Sequence, residues 1–132
     1  MIALDSNVVI RLLVGDDPGQ EKLAKDLVAR AAEQGEACLV TNSVLCEIEW
    51  VLGSSYNARR PEILSALQHL LGNPLFDFED RSAMLHALDG YSEGKGDFSD
   101  HLIGAVGTAR GARATYTFDR AFRDRQGFVL LR

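Results

Sequence analysis

Positive charge is scarce in this chain. Fourteen Lys and Arg stand against nineteen Asp and Glu, a formal net charge of -5, whereas a protein that coats nucleic acid without sequence preference needs the opposite balance. Cysteine is nearly absent. Cys38 and Cys46 have no second pair, which suits neither a four-ligand zinc site nor a disulfide framework. A reduced, cytoplasmic chain is the simplest expectation. No run of about eighteen uncharged apolar residues occurs, and Met1-Ile2-Ala3-Leu4-Asp5 lacks the basic and apolar regions of an export signal. Neither export nor membrane insertion is expected. There is also no repeat and no Pro- or Ser-rich linker, so residues 1–132 read as a single domain. What remains is average: 46% hydrophobic and 25% charged residues, enough for an ordinary core that buries roughly two-thirds of the unfolded surface.

Periodicity divides the chain into alternating strands and helices. Ile2 to Leu4 is a short apolar run closed by Asp5-Ser6-Asn7, a strand running into a helix cap, with a helix expected over Val8 to Val14. Gly15-Asp16-Asp17-Pro18 interrupts, and a second helix carries Leu23, Leu27, Val28 and Ala31 to Gln34. A strand at Ala37 to Val40 leads through Thr41-Asn42-Ser43 into a helix over Val44 to about Ser54, and Pro61 opens another through Leu71. Leu75 to Phe78 reads as a strand and Arg81 to about Ser92 as a helix. Asp97 to Arg110 returns to helical spacing, and Ala114 to Phe118 and Phe128 to Leu131 are β-rich. This alternation predicts an α/β fold with a mostly parallel central sheet and helices on both faces. Ligands of such sheets sit outside the carboxyl ends of the strands, where Asp5 and Asp119 stand.

Two further positions draw attention. The helical stretch Val44-Leu45-Cys46-Glu47-Ile48-Glu49-Trp50-Val51-Leu52 places Glu47 and Glu49 on opposite shoulders of its apolar face, and periodicity does not choose between them. Asp97 and Asp100, three apart, share one side of the next helix, and Asp100 aligns with Ile103, Gly104 and Gly107, where absent side chains permit close approach of other backbone. If Asp5, Glu47, Asp100 and Asp119 converge, they form an oxygen-only cluster of the kind that hard divalent ions such as Mg2+ or Mn2+ prefer, and the matching substrate class is a phosphodiester. The plainer reading stands beside it: Asp5, Asp97 and Asp119 each occupy a helix-capping position, and Glu47 and Asp100 fit an arginine pair or a solvated edge.

At these residues the sequence resembles the PIN-domain ribonucleases, in particular the VapC toxins of bacterial toxin-antitoxin pairs. The resemblance rests on four segments in order: Ile2-Ala3-Leu4-Asp5-Ser6-Asn7-Val8-Val9-Ile10-Arg11, then Asn42-Ser43-Val44-Leu45-Cys46-Glu47-Ile48-Glu49-Trp50-Val51-Leu52, then Asp97-Phe98-Ser99-Asp100-His101-Leu102-Ile103-Gly104-Ala105, and Thr115-Tyr116-Thr117-Phe118-Asp119-Arg120-Ala121-Phe122. The match singles out Glu47 over Glu49. It implies a doubly wound PIN-like α/β domain, a Mg2+- or Mn2+-dependent endoribonuclease, a homodimer, and a cognate antitoxin whose tail covers the site. Asp5, Glu47, Asp100 and Asp119 would hold the metal, with Asp97 assisting and Asn7 and Thr117 orienting water or an acid. The family more often has Thr where Ser6 stands and a small residue where His101 stands.

The arginines suggest a substrate contact. From Arg110 onward six Arg face two Asp, and among them Arg120 and Arg123 are candidates to grip RNA phosphates. Arg11, one helical turn beyond Asn7, is another, with pairing to a carboxylate as the rival use. His69 and His86 read as ordinary helix residues, and His101 beside Asp100 as a candidate proton carrier. Trp50 and Phe122 read as core or dimer contacts, and the Val8 to Leu13 run and the Glu62 to Leu71 helix as contributors to a dimer face. Other functions fit less well. A dehalogenase-like phosphatase wants a second Asp where Asn7 stands, and a nucleotide-binding Rossmann turn lacks its glycines after the first strand. A PIN-like module that only binds, or one that cuts DNA, is the remaining alternative.

Overall fold

The computed structural model describes residues 1–132 as six helices and five short parallel strands. Packing groups them into two compact units, Met1–Glu79 and Asp80–Arg132. The fold is mixed α/β, as the alternation predicts.

In the first unit, β1 (Ile2–Ala3), β2 (Cys38–Val40) and β3 (Phe76–Phe78) form a parallel sheet in that order. Ile2 aligns with Cys38, and Cys38 with Phe76. The connections are helices: α1 (Ser6–Leu13) and α2 (Pro18–Glu33) link β1 to β2, and α3 (Asn42–Ser55) and α4 (Arg60–Leu71) link β2 to β3. Their starts follow from local chemistry. Asp17 accepts from the Gln20 amide ahead of Pro18, Thr41 from Val44, and the Glu62 carboxylate reaches back to the Arg59 amide. Helix α1 begins two residues before the expected Val8, because Asp5 rather than Asn7 caps it.

Part of the apolar run in α1 is committed to the core. Val9 and Ile10 are buried, each contributing about 1.5–3 kcal/mol by removal from water. Helix α4 likewise buries Ile63, Leu67 and Leu70. Val8, Leu12, Leu13 and Leu64 of the same segments are half-buried, and polar residues such as Glu62, Gln68 and His69 lie exposed on α4. Trp50, expected in a core or a contact, is 71% exposed.

In the second unit, α5 (Arg81–Ser92) is capped by Asp80 and packs on α6 (Phe98–Ala109). Strands β4 (Thr115–Thr117) and β5 (Phe128–Leu130) pair in parallel, joined through a 3-10 turn at Arg120–Phe122. Met84, Phe98 and Phe122 are the fully buried large side chains here, so Phe122 is a core residue. Gly104 on α6 allows the ring of Phe128 to approach, and a Cβ at that position would lie 2.4 Å from Phe128 Cζ.

Candidate active site

The first unit brings Asp5 and Glu47 together around one hydroxyl. Asp5 follows β1 and Leu4, and as the N-cap of α1 it accepts the Ser6 amide on Oδ1 at 2.8 Å. Ser6 is buried, and a buried hydroxyl requires a partner. It donates to Glu47 Oε2 at 2.5 Å and lies 3.5 Å from Asp5 Oδ1. Neither carboxylate takes part in an ion pair. Two carboxylates beside one hydroxyl repel each other, an arrangement that a bound cation relieves. Glu47 is exposed and Glu49 half-buried on α3, so the two shoulders that periodicity left equivalent are distinct, and only Glu47 meets Ser6.

Asn7 is exposed on α1 and borders a groove of about 480 Å³ with Arg11, Gln20 and Leu23. Arg11 is engaged within its own unit. Its guanidinium donates to Gln20 Oε1 at 2.6 Å, to Asp16 Oδ1 at 3.1 Å and to the Tyr56 hydroxyl at 3.0 Å. The Tyr56 bond is the largest influence on its pKa and, joined by the lesser charge effect of Asp16, outweighs desolvation, so the pKa lies above the ordinary arginine value. Nothing in the local sequence marks Tyr56 as the partner, because it lies 45 residues away.

The second unit carries the other acids. Asp97 occupies the N-cap of α6, where its carbonyl accepts from the His101 amide while its exposed side chain caps nothing. Asp100, half-buried in the first turn, sits where the helix N-terminus favours negative charge. Thr117 ends β4, and its hydroxyl accepts the Asp119 amide at 3.0 Å. Asp119 in turn accepts the Ala121 amide on Oδ1 at 2.9 Å and caps the 3-10 turn. It is exposed, and its Oδ2 remains open. Arg120 and Arg123 project from the same turn, exposed and outside any ion pair, whereas Arg125 is held by Glu93.

His101 has a structural task. It is buried, and its Nε2–H donates to the Lys95 carbonyl at 2.7 Å while the ring packs edge-on against Phe122. It therefore pins the loop before α6. His69 and His86 are exposed helix residues.

Neither unit by itself gathers three or more His, Cys, Asp or Glu side chains into a metal-holding group. The donor chemistry of the sequence candidates nevertheless fits a hard divalent ion: Asp5, Glu47, Asp100 and Asp119 offer only oxygen. In the first unit, the Ser6 bond sets two of those carboxylates at one hydroxyl with no competing cation.

The PIN domain family model matches residues 2–127. The chain belongs to the PIN domain family. It is also similar to a VapC ribonuclease of Aquifex aeolicus (strain VF5), with 25% identity over 123 residues that cover 93% of this chain and 90% of that protein. No solved structure gives a match. The PIN match takes in β1 to β4 and the positions of all four acids. No helix of this PIN protein is long and apolar enough to cross a membrane.

Proposed function

We propose that this PIN-domain protein is a divalent-metal-dependent endoribonuclease that hydrolyses RNA phosphodiesters, and that it serves in the cytoplasm as the toxin of a VapBC-like toxin-antitoxin pair. The observation that carries this reading is the Ser6 hydroxyl set between Asp5 and Glu47, two oxygen donors with no cationic partner, in a chain similar along its length to a VapC ribonuclease. Asp5, Glu47, Asp100 and Asp119 supply carboxylate ligands for Mg2+ or Mn2+. Held there, the ion would supply Lewis-acid activation of water and neutralisation of charge on a departing oxygen.

The chain's own groups do the positioning. Capping bonds hold Asp5 and Asp119 through Oδ1 and leave Oδ2 for binding. Ser6 fixes the Glu47 carboxylate. Thr117 anchors the amide of Asp119. Asp97, whose side chain caps nothing, assists from the head of α6, and Asn7 orients water or the neighbouring acid by hydrogen bonding. Arg120 and Arg123, free of carboxylate partners, bind RNA phosphates. Arg11 contributes to that only after releasing Asp16.

The partner follows from charge. An acidic protein with exposed catalytic carboxylates is best inhibited by an antitoxin tail that presents Arg or Lys, with an affinity that falls as salt rises. The toxin itself is taken to be a homodimer with all 132 residues in one PIN domain. The direct test is incubation of purified, antitoxin-free protein with total cellular RNA in Mg2+, Mn2+ or EDTA. Discrete fragments that require metal support the reading, and intact RNA from a folded protein under every condition opposes it.

A further inference from the structure

Beside Asp119 the second unit carries a cavity of about 470 Å³ lined by Phe118, Arg120, Arg123, Leu130, Leu131 and Arg132. Its composition differs from the rest of the surface. Three guanidinium groups line it with no acidic side chain among them, in a chain whose net charge is -5. None of the three is in an ion pair, although Arg11 and Arg125 elsewhere are both neutralised by carboxylates. Phe118 is 77% exposed, the most exposed large hydrophobic side chain in the protein.

The backbone explains why Phe118 stands out. Thr117 ends β4, the Leu131 amide donates to its carbonyl, and Asp119 turns the chain into the 3-10 turn. Phe118 falls on the bend between a strand end and a cap, where no element covers it. Arg120 and Arg123 lie three apart on that turn, so the bend presents one aromatic face together with several cations.

We propose that this cavity is a subsite for an unpaired nucleotide of the RNA, with the base stacked on Phe118 and adjoining phosphates held by Arg120, Arg123 and Arg132. The inference rests on the ribonuclease reading and deepens it. Aromatic faces adjoining cationic grooves bind single strands, because every base has a π-face and every linkage a negative charge. A duplex keeps its bases stacked inside and cannot use Phe118. The subsite thus directs unpaired RNA past Asp119. A cationic peptide is excluded by like charge.

The test measures binding of a short labelled single-stranded RNA and of a blunt-ended RNA duplex to full-length protein carrying Asp5→Asn, which keeps the RNA intact. Wild-type cleavage of the single strand is followed in parallel. Adding Phe118→Ala is expected to weaken single-strand binding by about 5- to 100-fold with little effect on the blunt duplex, and Phe118→Trp is expected to restore it. Arg132→Ala is expected to lower the salt dependence of binding by about 0.7 in log-log slope. Unchanged single-strand affinity in Phe118→Ala overturns the subsite, as does failure of the Asp5→Asn protein to bind single strands at all. Unchanged RNA affinity with weaker self-association in sedimentation would instead make this face a contact between copies, and also overturns it. If RNA binds through Phe118 but the wild type never cleaves with added metal, the ribonuclease reading fails and the subsite stands.

Discussion

The Ser6 hydroxyl lies 2.5 Å from Glu47 Oε2, which joins the start of α1 to the exposed side of α3 across 41 residues. Ser6 Oγ also lies 3.5 Å from Asp5 Oδ1, so one small side chain sets the spacing of two acids. Removing it tests the arrangement without removing a carboxylate. Ser6→Ala is expected to lower metal affinity or turnover by about 10- to 100-fold, the usual effect of losing a group that orients a ligand. The loss of one hydrogen bond costs about 1 kcal/mol of stability. Ser6→Thr keeps the hydroxyl and is expected to retain activity. Metal titration and thermal melting of the three proteins separate these effects.

Glu47 and Glu49 provide an internal comparison on one helix. Glu47→Gln is expected to reduce cleavage to background, whereas Glu49→Gln leaves most of it. Equal loss in both variants, measured as initial rate at saturating Mg2+, would remove the distinction that the Ser6 contact draws.

Two glycines of the second unit are expected to resist substitution for different reasons. At Gly104 a Cβ would press on the Phe128 ring at 2.4 Å. At Gly96 it would meet Phe122 Cζ at 2.3 Å, and the backbone there has φ +70, which side chains rarely adopt. Gly104→Ala is expected to cost about 1–3 kcal/mol by overpacking, and Gly96→Ala at least as much because strain is added. Urea unfolding followed by circular dichroism measures both.

Cys38 and Cys46 are expected to react at different rates. Cys38 is buried on β2, and desolvation, followed by the charge of Glu36, pushes its thiol pKa above the ordinary cysteine value. Raising the pKa lowers the thiolate fraction at neutral pH, and the thiolate is the reactive form. A thiol reagent added to folded protein at neutral pH should therefore modify the half-buried Cys46 first, with Cys38 following only on unfolding. Equal rates in the native state would contradict the burial.

Much of the fold was legible because its helix starts are written locally. Asp17-Pro18, Thr41 and Asp80 each place a side-chain acceptor before the first turn, and the helix expected at Arg81 to Ser92 is α5. The start of α1 was less clear because Asp5 and Asn7 are both competent caps two positions apart. The exposure of Trp50 was hidden because its helix is apolar nearly all round. The engagement of Arg11 by Tyr56 and of Ser6 by Glu47 depends on packing between distant segments, which periodicity does not encode. The exposure of Phe118 is hidden for a similar reason: an apolar residue closing a β-rich run has the pattern of a core residue, and only the bend exposes it. The acids were legible as types at family positions, and as individual residues each also served as an acceptable cap.

The central claim is that carboxylates of this PIN domain catalyse metal-dependent RNA cleavage, and it is tested most directly by comparing wild type with Asp5→Asn on one RNA fragment cut by the wild type. Asn is itself a good N-cap, so the variant is expected to melt within about 1 kcal/mol of the wild type while losing cleavage in both Mg2+ and Mn2+. EDTA is expected to silence the wild type to the same level. Full activity in the folded Asp5→Asn protein, or wild-type cleavage that persists in EDTA, would contradict the account.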